Sequence, residues 1–431
     1  MSDILLLLSI ISIWLAVFEA ILIMAGATRF IYKERRRPWS ITGDTSAYPT
    51  VTVLVPAHNE ELVIAATAEN VLKLNYPAEK VQFIVIADNC SDATAEKLCE
   101  LKSRPDYAQR DFTVLERTGT GGKSGALNDA FELARGEWVC IYDADAAPEK
   151  NALLFLVQTA LENPQRYGAV FGRNKARNRG QNFLSRCVNL ELVTAQRIYH
   201  AGLWQLFKVG TIPGTNFMIK AELLREIGGW DTDAITEDTA ISFEILRRGQ
   251  LIALASRAEA YQQEPESLDV YAKQRRRWAK GNFDVVLGNL HHLFDRTNWR
   301  VKIQVIYYAA SYFWFMAAIL ISDFIFIVNL VYRVIHWFRP EVYSPFQFSG
   351  DVYVYLVVAW GLMYYLYVLQ INLALATDIG QSNTRNFILS CISYFTYAQL
   401  FILISIRALG EMIVDRVTGR KAKWYKTQRF G

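Results

Sequence analysis

Apolar residues are spread unevenly along this chain, and their pattern divides it into three parts. Residues 4–27 form one apolar run interrupted by a single acid, Glu19, long enough to span a bilayer as a helix. Positive charge follows this run, at Arg29, Lys33, Arg35, Arg36 and Arg37. A secretory signal peptide carries its charge before the apolar stretch, so an uncleaved anchor is expected. The same charges place the following segment in the cytosol by the positive-inside rule. From about residue 49 the pattern changes to short β-branched runs alternating with helical periodicity. Residues 50–55, 81–87, 112–115, 138–142 and 169–171 predict strands, and 60–72, 93–101, 126–134 and 152–161 predict helices. This alternation implies an α/β domain with a mostly parallel sheet, whose ligands sit at the carboxyl ends of the strands. Long apolar runs return at 303–332, 352–376 and 387–406, ahead of a basic tail over 407–431. The expected organisation is an anchor and basic linker over 1–48, a cytosolic domain over 49–287, and an interface helix, membrane helices and tail over 288–431. Three full crossings after a cytosolic domain would put the basic tail outside, against its charge. One late run is therefore expected to be re-entrant, to lie in the interface, or to hide a further crossing.

Composition fits a membrane protein: 52% of the 431 residues are hydrophobic and only 20% charged. A net charge of +4 is too small to argue for nucleic acid, and the basic residues cluster beside apolar segments instead. The five cysteines show no CxxC spacing, so neither a disulfide framework nor a zinc site is expected.

Polar clusters fall at the predicted strand ends. The first strand ends in Pro56-Ala57-His58-Asn59-Glu60, the second in Asp88-Asn89-Cys90-Ser91-Asp92, and the fourth in Asp143-Ala144-Asp145. One Asp after a strand is usually a cap or turn residue. Two carboxylates separated by one small residue can instead offer oxygens to a hard cation that grips a diphosphate. The stretch Gly119-Thr120-Gly121-Gly122-Lys123-Ser124-Gly125 is not a P-loop, because the first Gly of that motif would fall on Arg117. A Gly-rich turn carrying one Lys can still meet a nucleotide through its backbone. Thr236-Glu237-Asp238 opens a helix, where the dipole favours acids in any case. Gln274, Arg277 and Trp278 share one face of a later helix. Arg277 could fork onto a diphosphate and Trp278 could stack on a sugar, or the helix could lie on lipid headgroups.

The ordered series Asp88, Asp143-Ala144-Asp145, Thr236-Glu237-Asp238 and Gln274-x-x-Arg277-Trp278 resembles the signature of processive family 2 glycosyltransferases. These include cellulose, hyaluronan, chitin and poly-N-acetylglucosamine synthases. The resemblance covers roughly residues 49–282 and implies a nucleotide-diphosphosugar transferase domain flanked by transmembrane helices. It implies that Asp88 and Lys123 hold the uridine, near Pro56, His58 and Glu60. Asp143 and Asp145 would bind the diphosphate and its Mg²⁺ or Mn²⁺. Asp238, beside Glu237, would be the general base. Gln274 and Arg277 would contact the diphosphate, and Thr236 and Trp278 the acceptor. Asn216, in Pro213-Gly214-Thr215-Asn216, would form part of the acceptor pocket. Trp424, Thr427 and Arg429 are similar to the family's gating loop, which closes over the nucleotide.

These implications converge on an inner-membrane, multi-pass, UDP-sugar-dependent hexosyltransferase. It would build a β-linked polysaccharide by single-step inversion, with poly-N-acetylglucosamine synthases the nearest likeness and UDP-N-acetylglucosamine the favoured donor. The expected partners are the UDP-sugar, a growing polysaccharide or lipid acceptor, the bilayer and accessory export subunits. The alternative is a non-processive transferase adding one sugar to a lipid or lipid-linked acceptor. A third reading, a transport or scaffold subunit with a vestigial domain, is opposed by the intact Asp143, Asp145, Asp238 and Trp278.

Overall fold

The computed structural model describes residues 2–37, 45–346 and 350–419. Helix α1 (Ser2–Arg36) carries the first apolar run and ends in Lys33, Arg35 and Arg36. The domain that follows alternates β1 (Val51–Ala57), α2 (Ile64–Leu72), β2 (Val81–Asp88), α3 (Thr94–Ser103), β3 (Phe112–Arg117), α4 (Gly122–Phe131) and β4 (Trp138–Ile141). It continues through β5 (Ala147–Pro148), α5 (Ala152–Leu161), β6 (Tyr167–Ala176), α6 (Phe183–Thr194), α7 (Ala201–Phe207), β7 (Phe217–Lys220), α8 (Ala221–Ile227), α9 (Glu237–Arg247) and β8 (Leu251–Gln262). Between α6 and α7 the chain takes a π-helical turn, Ala195–His200.

These strands form one sheet in the order β3-β2-β1-β4-β7-β6-β8-β5. β1 is parallel to both β2 and β4, with Val51 opposite Val81 on one side and Trp138 on the other. Helices cover both faces of this half, so its central strands are mostly apolar; Val53, Leu54, Ile84, Val139 and Ile141 are fully buried. The one polar intruder on β1, Thr52, is satisfied by Gln82 Oε1 at 2.8 Å and by the Gly136 N–H at 2.9 Å. The chain runs from β1 outward to β2 and β3, then crosses to β4 on the other side. That reversal opens a crevice beyond the carboxyl ends of β1 and β4. The other half is mixed: β7 runs antiparallel to β4 and β6, whereas β8 is parallel to β6.

The remainder is helical: α10 (Leu268–Asn289), α11 (Trp299–Ala309), α12 (Phe315–Phe338), α13 (Gly350–Ala376), α14 (Thr384–Ser393) and α15 (Tyr397–Thr418). Among the described residues, four helical segments are long and apolar enough to cross a membrane: Leu7–Arg36, Trp299–Phe338, Val357–Ala376 and Tyr397–Thr418. The first two late runs are thus α11–α12, joined by a π turn, and α13. The third is broken in two. α14 runs back along α13, with Asn372 donating to Ser390 Oγ at 2.9 Å and Tyr367 and Ser393 hydroxyls 3.1 Å apart. α15 then lies against α10, packing Ala408 and Met412 on Ala279 and Phe283. Arg276 pairs with Glu411 at 3.3 Å, Arg416 with Asp284 at 3.0 Å, and Lys280 with Asp415. Tyr397, at the other end of α15, donates to Glu191 on α6. Both ends of α15 therefore touch the domain. So does the segment just beyond α13, where Asp378 is buried among Lys175 (3.2 Å), Arg173 (3.5 Å) and Arg197 (3.7 Å).

Candidate active site

At the carboxyl end of β1 and β2 the backbone turns sharply, with Asn59 and Asn89 at φ 54° and 48°. Non-glycine residues pay for that conformation, and such strain gathers where a backbone is shaped around a ligand. Asn59 Oδ1 accepts the Ser91 N–H at 2.7 Å, and the His58 Nδ1–H donates to the Asp88 carbonyl at 2.7 Å, tying the two strand ends together. Asp88 is buried and accepts from Arg117 at 2.6 Å and Asn89 at 2.8 Å. Arg117 also donates to the Thr120 carbonyl at 2.7 Å, so it fastens the Gly-rich turn before α4. Lys123 lies in the first turn of α4 and points elsewhere: its ammonium is 2.7 Å from Asp143 Oδ1, 3.1 Å from Glu237 Oε1 and 3.0 Å from the Gly214 carbonyl. Asp88 and Lys123 line the same cavity but hold different partners.

Lys123 links the two acidic groups of the site. Asp143 follows β4, its N–H donating to Thr215 Oγ1 at 2.9 Å. Burial raises the Asp143 pKa, Lys123 offsets part of that, and Asp145 adds to the rise. Asp145 is buried and accepts the Gln263 N–H at 3.0 Å. Glu237 and Asp238 open α9 and are pushed apart in acidity. Burial opposes ionisation of Glu237, but Lys123, a backbone N–H and Arg277 outweigh it and hold its pKa below the usual value. Asp238 is raised to about 7 by burial and by the neighbouring Glu237 charge. Its Oδ1 accepts the Thr239 N–H at 2.7 Å. Gly214, at φ 82°, leaves room for the other oxygen: a Cβ there would stand 2.9 Å from Asp238 Oδ2.

Gln274, Arg277 and Trp278 of α10 close the cavity, which encloses about 460 Å³ and is also lined by Pro56, His58, Glu60 and Thr236. Thr236 Oγ1, Gln274 Oε1 and Arg277 Nε are buried with no hydrogen-bond partner among the described residues. Buried polar groups are normally paired, so these three leave donors and an acceptor at the cavity that a polar ligand could use. The two carboxylates Asp143 and Asp145 fit a divalent ion as a partial oxygen donor set, one that a diphosphate's own oxygens would complete. Among the described residues, the one convergence of three metal-ligating side chains is elsewhere, at His291, His292 and Asp295. There Asp295 is already engaged, pairing with His292 at 2.5 Å and accepting the Thr297 N–H at 2.9 Å.

Asn216 is not brought into the cavity. It is fully buried beneath it, and its amide donates to the Arg173 and Ala258 carbonyls at 3.1 and 2.9 Å, holding β6 to β8. Trp424, Thr427 and Arg429 lie outside the described residues. The structure also adds lining residues that carried no sequence motif: Glu191, Gln196 and His200 from α6 and its π turn, Glu264 after β8, Arg275 of α10 and Tyr308 of α11. Glu264 follows a strand end, a signal available once β8 is recognised. The π turn, which aims Gln196 and His200, has no comparable pattern in the sequence.

The half-parallel sheet with this order of strands and helices is the fold of a sugar transferase. Residues 49–281 match the family described as glycosyltransferase like family 2, and the chain belongs to that family. Along its whole length it is 34% identical to the probable glycosyltransferase YdaM of Bacillus subtilis, over 430 residues covering 99% of that protein. It is 32% identical to the poly-beta-1,6-N-acetyl-D-glucosamine synthase of Staphylococcus aureus (strain COL) over 237 residues, 55% of each chain. The chain thus matches about half the length of that synthase. In structure it is similar to a mannosyltransferase from Pyrobaculum calidifontis in complex with GDP-Man and Mn²⁺, with a TM-score of 0.60 and 20% identity over 91% of this chain and 99% of that one.

Proposed function

We propose that this protein is a membrane-embedded, inverting and processive transferase that builds a β-linked polysaccharide from a UDP-sugar, with UDP-N-acetylglucosamine the favoured donor. One observation carries the reading: Asp88, Asp143, Asp145, Asp238 and Trp278, from four distant segments, line a single cavity. The synthase likeness over residues shared with the catalytic domain supports the choice of sugar.

The uridine end of the donor lies by Asp88 and the β1–β2 turns. The diphosphate lies between Lys123 and Arg277, which neutralise charge as it develops on the leaving group. Asp143 and Asp145 would hold a divalent ion, Mg²⁺ or Mn²⁺, which supplies Lewis-acid help to the departing diphosphate. Trp278 presents its indole to the terminal sugar of the acceptor. Asp238 takes the proton from the acceptor hydroxyl as that oxygen bonds to the anomeric carbon. The bond from that carbon to the donor's phosphate oxygen breaks with its electron pair, and UDP leaves. A single displacement inverts an α-linked donor to a β-glycoside and needs one base, and a pKa near 7 suits a base working at neutral pH.

The membrane arrangement follows from charge and contact. The basic end of α1 supports a cytosolic catalytic domain. α11–α12 leads out and α13 returns, because the segment after α13 is ion-paired to the domain. α14 and α15 form a re-entrant hairpin that ends on α10. α15 then ends on the cytosolic side, in keeping with the basic charge of the sequence that follows it.

Product size tests processivity. Membranes given radiolabelled UDP-N-acetylglucosamine are expected to yield a high-molecular-weight ladder on a gel. Only mono- or disaccharide products would instead assign a single-sugar transfer to a lipid acceptor.

A further inference from the structure

The buried cation beside Trp278, itself at the cavity wall, is used by none of the steps above. Arg275 is 2% exposed, and its guanidinium lies 4.1 Å from the centre of the Trp278 ring and 5.2 Å from that of Tyr271. Glu191 on α6 holds one edge of it, at 3.2 Å. The second oxygen of Glu191 accepts from the hydroxyl of Tyr397, the first residue of α15, and the Tyr397 ring is tilted against Tyr271 at 5.4 Å. Burial disfavours the Arg275 charge, and the Glu191 carboxylate is the largest of the neighbours that favour it. A charge kept in so dry a place, between two aromatic faces, is held there by geometry as much as by pairing.

We propose that Arg275 is a positioning residue for the acceptor end of the site: it covers one face of the Trp278 indole and, through Glu191 and Tyr397, latches the membrane helix α15 to that platform. The inference rests on the transferase reading above and deepens it. Trp278 lines the cavity, so the ring face that Arg275 does not cover is the one left for a sugar. Arg275 touches no reacting atom; it fixes the plane on which the acceptor rests. A displaced indole lets the acceptor slip, and water then attacks the anomeric carbon in its place. Donor turnover continues while transfer fails. Because the same guanidinium is joined to α15, movement of that helix is transmitted to the acceptor platform.

Two readouts on the full-length protein in lipid nanodiscs test this. The first is sugar incorporated per UDP released from UDP-N-acetylglucosamine. Arg275→Met is expected to lower this ratio by about tenfold, the scale of a desolvated cation–π contact. Arg275→Lys keeps the charge but not the flat stack, and is not expected to restore the ratio. Tyr397→Phe, outside the cavity and free of any charge change, is expected to lower it by a smaller factor. The second readout needs no turnover. With 5-fluorotryptophan incorporated, the Trp278 resonance, assigned by its loss in Trp278→Phe, is expected to shift in both Arg275→Met and Tyr397→Phe. Proportional loss of incorporation and UDP release, or a Trp278 resonance that does not move, overturns the proposal. A wild-type protein that releases no UDP would sink the donor reading, while the fluorine spectra would still decide whether Arg275 places Trp278.

Discussion

Neighbouring carboxylates in this site have been given opposite tasks by their surroundings. Glu237 faces Lys123 at 3.1 Å and stays ionised as part of the cationic residue's cage. Asp238, one residue on, is left near neutrality and free to exchange a proton. Only ionised Asp238 can act as a base, so kcat/KM for the donor is expected to fall below an acidic limb near pH 7, read from UDP release across pH 5–9. Lys123 lowers the pKa of Asp238, so Lys123→Met is expected to move this limb to higher pH, besides weakening donor binding. A limb that stays in place would mean that the lysine's charge does not reach the base. Asp143→Ala and Asp145→Ala are each expected to abolish stimulation of UDP release by Mn²⁺ in chelator-treated protein; undiminished stimulation would remove them from the metal site.

Elements bring these residues together by close approach. α10 passes the start of α9 at Gly281, where a Cβ would stand 2.5 Å from Thr236 Cγ2. Thr236 immediately precedes Glu237 and the proposed base Asp238, so Gly281→Ala is expected to push α10 and its Trp278 away from Asp238. Overpacking of this kind costs about 1–3 kcal/mol, which, expressed wholly at the site, corresponds to a loss of activity of roughly 5- to 150-fold. Adding Thr236→Ala to Gly281→Ala is expected to recover part of that loss, and a double variant as impaired as the sum of the two would show that the contact is not the cause. The same elements show what a sequence reveals. β1, β2 and β4 were legible because both-face burial leaves unbroken apolar runs, and their ends carry the motifs. The start of α4 at Gly122 was hidden by its glycines, which read as a loop, and α2 begins at Ile64 instead of residue 60, after a turn in which the Glu60 N–H donates to Thr94 Oγ1. Arg275 and Glu191 were illegible as site residues: their meaning lies in a contact between α6 and α10, 84 residues apart in the chain. Asn216 adjoins Pro213 and Gly214 of the cavity wall in sequence, while its own amide nitrogen is committed to the Arg173 and Ala258 carbonyls.

At the scale of the whole molecule, the catalytic domain is gripped by its membrane helices on two sides. Asp378 seals the end of α13 into a basic cluster on β6 and the π turn, and α15 is ion-paired along α10. The arrangement predicts that a cysteine at Glu341, in the turn after α12, is labelled by an impermeant maleimide on intact cells, whereas one at Thr418 reacts only after permeabilisation. Labelling of Thr418→Cys from outside would mean that α15 crosses completely. One cavity is proposed to serve one reaction, with Asp238 as its base. Its most direct measurement is the rate of UDP release from UDP-N-acetylglucosamine by purified wild-type protein and by Asp238→Asn, which keeps the shape and removes the proton acceptor. A fall of about 10²-fold or more is predicted; a variant that releases UDP as fast as the wild type would contradict it.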